Sequence, residues 1–133
     1  MNAPATIEAY YEALRTGEPL EVYFVDDDTV TDATVVKFGV GDAHFGSDAV
    51  SEALQEQTDT TEEWTVESDD LQVTERDDVA WFADRVTLAW TDMTTGIRRR
   101  FETRWSGTLL LTQTDDGDHW RFVSMHVSAP RES

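Results

Sequence analysis

The chain has no cysteine. That absence excludes disulfides, thiolate zinc sites and cysteine nucleophiles together. Long apolar runs are missing as well, since no stretch approaches the roughly 20 residues that a membrane-spanning helix requires. The first residues, MNAPATIEAYYEAL, have neither the cationic start nor the apolar core of a signal peptide. A soluble, cytoplasmic protein is the expectation. Basic side chains are scarce, with 10 Lys and Arg against 28 Asp and Glu and a formal charge of -18. Nucleic acid and anionic membranes are recognised by basic faces, so neither is expected as a partner.

What is present is enough for one domain, residues 1–133. A chain of 133 residues can bury about two-thirds of its unfolded surface. Five Trp, six Phe and 39% hydrophobic residues argue against disorder. The acids are uneven, with 21 against three bases in residues 1–78 and seven of each in residues 79–133. Lys37 is the only lysine beside nine arginines, a composition that resembles proteins of salt-loving archaea, where salt screens surface repulsion.

The central stretch is Asp78 to Asp92. Val79, Trp81, Phe82, Val86, Thr87, Leu88 and Trp90 suit a sheet interior, and Asp84 and Arg85 interrupt them. Before it, Thr6 to Arg15 reads as a helix, with Ile7, Tyr10, Tyr11 and Leu14 at helical spacing and Gly17 as the stop. A second short helix is expected near Pro19, presenting Leu20, Tyr23 and Phe24. The run Asp26, Asp27, Asp28 lacks the calcium-loop series and reads as a solvated turn. Strand candidates follow at 29–31 and 35–38. A helix then starts with Ser47 as its cap and buries Ala49, Val50, Ala53 and Leu54.

Thr61 to Thr74 is a long strand whose parity fails. Trp64 and Val66 share one face and Leu71 and Val73 the other, which places a bulge or break near Ser68 to Asp70. Ile97 to Gln113 is longer than an ordinary strand, and Gly107 is the natural bend. Trp120 to Val127 closes the sheet. Helices first and long antiparallel strands afterwards describe an α+β domain.

The closing segment carries a resemblance. Arg104, Ser106, Gly107, Leu109, Trp120, Arg121, Val123, Met125, His126, Ser128 and Pro130 match the pattern R-x-T-G-V-L, turn, W-R-x-V-x-M-H-x-S-x-P. The segment D-V-A-W-F at Asp78 to Phe82 and F-G-x-D-A-V at Phe45 to Val50 also fit. In these residues the chain resembles the SnoaL-like branch of the nuclear transport factor 2-like superfamily. The resemblance implies a cone-shaped fold, with about three N-terminal helices on a strongly curved, mostly antiparallel sheet. It also implies an apolar pocket and a homodimer formed through the sheet.

Within that resemblance, Asp84 is the candidate general base, because superfamily enzymes often place a carboxylate or histidine in the cone. Burial would raise its pKa toward proton abstraction. The competing reading pairs it across strands with an arginine. Arg104 could hold an anionic group on a ligand, or could equally serve the acidic surface or a dimer contact. Tyr10, Tyr11, Trp81, Trp90 and Met125 are candidate pocket walls, although aromatics more often form ordinary core. Asp84 with Trp90, or Trp81 with Arg85, can face the pocket, but not both sets without a bulge. His126 is expected to point outward. No metal ligand set and no cofactor are indicated by the histidine spacing.

Three functions remain open: a pocket for a small, mainly apolar or carbonyl-containing molecule; a cofactor-free isomerase, dehydratase or hydrolase using a pocket carboxylate; and a non-catalytic dimerisation or assembly domain. Shared fold does not choose among them.

Overall fold

The computed structural model describes residues 2–26 and 35–130. Its first helix, α1 (Ala3–Thr16), is capped by Asn2, whose side chain accepts from the Ala5 N–H, and ends at Gly17 in the left-handed region. The buried stripe is Ile7, Tyr10, Tyr11 and Leu14, with Thr6 and two alanines. Glu21–Tyr23 forms a single 3-10 turn. Strands β1 (Val36–Gly39) and β2 (Asp42–Phe45) form a hairpin, followed by α2 (Ser47–Thr60). The remaining strands are β3 (Thr61–Ser68), β4 (Gln72–Arg76), β5 (Val79–Asp92), β6 (Ile97–Thr114) and β7 (Gly117–Ser128).

These strands make one seven-stranded sheet in the order β2-β1-β7-β6-β5-β3, with β4 also on β5. Strands β3 and β4 lie end to end along the same edge of β5: β3 pairs from Asp92 back to Val86, and β4 from Ala83 to Val79. The break between them spans Asp69 to Leu71. It is stitched by the Asp69 N–H, which donates to the Arg85 carbonyl at 2.9 Å. The two halves can therefore show opposite parity without breaking strict alternation within either.

Two expectations about architecture are corrected. The described residues contain two α-helices, one of them between β2 and β3, and not three helices at the N-terminus. The segment after Pro19 makes only the single 3-10 turn Glu21–Tyr23 and then leaves it at Phe24 in an extended conformation, with Leu20, Phe24 and Val25 buried. Accordingly Phe24 bridges Phe122, and the Val25 N–H donates to the Phe122 carbonyl at 2.9 Å. The sheet, expected to be strongly curved, is open and mixed: β2 forms one edge, β3 and β4 the other, and β1 runs parallel to β7.

Smaller differences have local causes. The cap of α2 is Gly46, at φ 93°, and Ser47 is the first helical residue without a capping bond. Strand β2 was not anticipated, since Asp42 to Phe45 alternates weakly and is mostly exposed. The strand candidate at 29–31 and the acids Asp27 and Asp28 lie outside the described residues.

The core lies between α1 and the inner sheet face. Tyr10 meets Phe122 edge to face at 5.3 Å, and Tyr11 meets Trp105 at 5.3 Å. Edge-to-face contacts add roughly 0.5–1.5 kcal/mol beyond area burial. On β5 the inner face is Ala80, Phe82, Asp84, Val86 and Leu88. On β7 the inner parity changes from Phe122 to Met125, because the register slips between Thr108 and Leu109 and leaves Val123 as the extra residue. Gly107 lies beside that slip, where a Cβ would strike the Ser124 carbonyl and the Phe82 ring. No helix among the described residues is long and apolar enough to cross a membrane.

Candidate functional site

The hairpin β1–β2, α1, α2, the start of β3 and the inner face of β5, β6 and β7 together line a half-open cavity of about 380 Å³. Its apolar wall is Leu14, Leu54, Leu88 and Val127, with Trp64, Trp90 and Trp105. The two forward tryptophans are placed by a bulge. The register of β3 against β5 slips between Glu62 and Thr65, with Glu63 at φ 56°. That turn lays Trp64 flat on Trp90 at 4.7 Å and 18°. Trp64 Nε1 donates to Thr61 Oγ1 at 2.8 Å, which fixes the ring at the cavity edge.

Polar groups come from α2, with Glu56, Gln57 and Thr60, and from the hairpin. Lys37 on β1 is directly opposite His44 on β2, so both side chains share the cavity face. Lys37 is only 8% exposed, and no hydrogen bond or ion pair partners its amine among the described residues. Burial pushes its pKa below the usual lysine value, and the Asp42 carboxylate partly offsets that. His44 Nε2 is 3.3 Å from Asp42 Oδ2. The Asp42 carboxylate lies over Gly39, where any Cβ would collide with it, and Lys37 Nζ would be 3.5 Å from the same position. Gly39 is therefore what lets the acid reach across the hairpin beside the amine.

The sequence candidates divide. Tyr10 and Trp90 line the cavity. Tyr10 is completely buried, and burial raises its phenol pKa. Tyr11, Asp84, Trp81, Arg104 and Met125 are not among its lining residues. Met125 is packed in the core. Arg104 is exposed and faces Arg85 across the strand pair, on the face opposite Thr103 and Trp105. Trp81 is 48% exposed on that same outer side, and His126 is exposed beside the Phe38 ring.

Asp84 faces inward with Val86, Leu88 and Trp90, and is 4% exposed. Its oxygens accept from Tyr11 Oη at 2.8 Å, Ser68 Oγ at 2.6 Å and the Asp70 N–H at 3.0 Å. Among the described residues no arginine reaches it; Arg85 instead pairs with Asp70 at 3.2 Å. The carboxylate thus ties α1 to the break between β3 and β4. A carboxylate satisfied by three donors has little left with which to accept a substrate proton. The Tyr11 phenol pKa is raised by burial first and by Asp84 second.

Lys37, Asp42, His44 and Trp64 were not singled out from sequence. One signal existed for Lys37: the only lysine of the chain sits inside the apolar strand V-V-K-F. Among the described residues no group of three His, Asp or Glu side chains is arranged to hold a metal ion.

A family model described as a SnoaL-like domain matches residues 4–132. No curated protein matches the chain. Among solved structures, the chain is similar to a candidate dehydratase of the nuclear transport factor 2-like family from Streptomyces avermitilis. The TM-score is 0.80 at 19% identity, covering 97% of this chain and 94% of that one. It is also similar to a ketosteroid isomerase-like protein from Erwinia carotovora atroseptica, with TM-score 0.68, 20% identity and coverage of 97% and 94%. A candidate scytalone dehydratase from Novosphingobium aromaticivorans gives 0.74 at 14% identity, with coverage of 96% and 81%. At such identities the likeness is one of fold.

Proposed function

The chain belongs to the SnoaL-like domain family, and we propose on that premise that it is a cofactor-free enzyme acting on a small, flat, mainly apolar molecule. The reaction class is proton transfer at carbon, as in isomerisation or dehydration. The observation that carries this reading is the pairing of His44 with Asp42 at 3.3 Å on the wall of a cavity of about 380 Å³ that also holds Trp64, Trp90 and Trp105. An imidazole oriented by a carboxylate can take a proton from a substrate and return it elsewhere. Stacked Trp64 and Trp90 supply a flat surface for a ring, and Tyr10 also lines the cavity. The dehydratase and isomerase descriptions of several structural relatives favour this chemistry over passive binding or assembly.

Asp42 serves here as the pocket carboxylate, and Asp84 holds the seam between α1 and the sheet. Exchange of the α-protons of 2-tetralone in deuterated water, followed by NMR, tests the assignment. Wild type should accelerate exchange. His44→Ala should lower the rate by about 100-fold, on the scale of general acid–base catalysis. Exchange no faster than in buffer alone, or a rate indifferent to His44, would overturn it.

A further inference from the structure

Nine of the ten basic residues of the chain are arginine, and the tenth is Lys37. None of the described arginines is buried, whereas Lys37 is 92% shielded by its 8% exposure. Lysine is thus absent wherever a surface cation would do, and present where a cation costs most. Arginine would hold an anionic ligand better, since its planar fork matches carboxylates and stays protonated. A buried primary amine offers something that arginine cannot. It gives up its proton and becomes a nucleophile.

We propose that Lys37 condenses with the carbonyl group of an aromatic aldehyde or ketone held in the cavity, forming an imine. The amine nitrogen bonds to the carbonyl carbon, the carbon–oxygen double bond breaks, and the oxygen leaves as water carrying both protons lost by nitrogen. No oxidant or reductant is consumed. Geometry supports each part. Lys37 Nζ has no hydrogen-bond or ion-pair partner among the described residues, and Lys37 lines the same cavity as Trp64 and Trp90. His44, directly opposite on β2, is placed to relay protons during loss of water. Burial keeps the amine below the ordinary lysine pKa of 10.5, and Asp42 works against that shift. The other titratable groups around the cavity are His44 from β2, Glu56 from α2 and Tyr10 from α1. The proposal rests on the cavity being a ligand site, as in the proton-transfer reading.

The test uses 1-naphthaldehyde with sodium cyanoborohydride, which reduces an imine to a stable secondary amine. Peptide mass spectrometry then reads the modified position. The N-terminal amine is the internal reference, because Lys37 is the only lysine. The expected result is one adduct per chain at Lys37, formed at least tenfold faster than on Nα-acetyl-lysine and slowed by 1-methylnaphthalene. The rate should rise with pH around a midpoint below that of the free amino acid. Lys37→Arg and Lys37→Met, checked for fold by circular dichroism, should label only at the N-terminus.

Label confined to the N-terminus of wild type, or a Lys37 rate equal to that of free lysine, overturns the imine. Quenching of tryptophan fluorescence by 1-naphthaldehyde is read in parallel. Quenching without label sinks the imine alone, whereas neither quenching nor label sinks the ligand cavity as well.

Discussion

Tyr11 donates its hydroxyl proton to Asp84 Oδ2 at 2.8 Å, joining the first helix to the middle of the central strand. The same carboxylate accepts from Ser68 and from the backbone at Asp70, where the edge strand breaks. One acidic group therefore satisfies three donors from three places in the chain. Removing it leaves the buried Tyr11 hydroxyl unpaired and frees the Ser68 and Asp70 donors at the exposed strand break, so more than one hydrogen bond is lost at once.

Asp84→Ala should consequently destabilise the fold by about 2–4 kcal/mol. Tyr11→Phe, which removes one of the three donors and leaves the carboxylate and the other two in place, should cost about 1–2 kcal/mol. Urea unfolding of both variants and their double mutant gives the coupling. A loss for Asp84→Ala no larger than that for Tyr11→Phe would contradict the three-donor account.

Alkaline pH should weaken the fold. The phenols of Tyr10 and Tyr11 have folded pKa values raised above the unfolded value of 10.0. Below that value both states keep their phenol protons, so the stability is fully present. Above it the unfolded chain releases protons that the folded chain retains, and stability falls as pH rises. Urea midpoints measured across the alkaline range should decline, and Tyr10→Phe with Tyr11→Phe should flatten the decline. A slope unchanged by both substitutions would refute it.

Gly107→Ala tests the close approach of β6 and β7. The added methyl would meet the Ser124 carbonyl, a backbone atom that cannot rotate away, and the Phe82 ring at 2.8 Å. Overpacking of this kind costs about 1–3 kcal/mol. Thermal unfolding should show a clear drop in Tm. An unchanged Tm would mean that the slip beside Thr108 relaxes freely.

Salt should stabilise the protein. A formal charge of -18 makes the compact state repel itself, and added salt shortens the range of that repulsion. The unfolding midpoint in urea should rise with potassium chloride, and sodium sulfate should not be required for the effect. A midpoint indifferent to salt would show that the surface acids are already spaced widely enough.

Much of the strand layout is local and was legible in the residues. Alternation along β5 puts Asp84 with Val86, Leu88 and Trp90, and that set faces the interior. The parity change between Val66 and Val73 marks a break expected at Ser68 to Asp70 and found at Asp69 to Leu71, because a strand cannot change faces without one. Gly107 marks the crowded point of β6 because a bare backbone is needed where a neighbouring strand comes close.

The tertiary structure decided what those faces meet. Alternation orients Asp84 but says nothing of Tyr11 and Ser68, which arrive from residues 73 and 16 positions away and occupy it. It does not reveal that Asp42 to Phe45 pairs with β1, or that β1 lies parallel to β7. Lys37 is buried because β7 and α2 pack against its strand, and no property of the strand itself requires that. Side-chain direction is set by the backbone of one segment. The surroundings of a side chain are set by long-range neighbours, and in this chain those neighbours make the cavity and its amine.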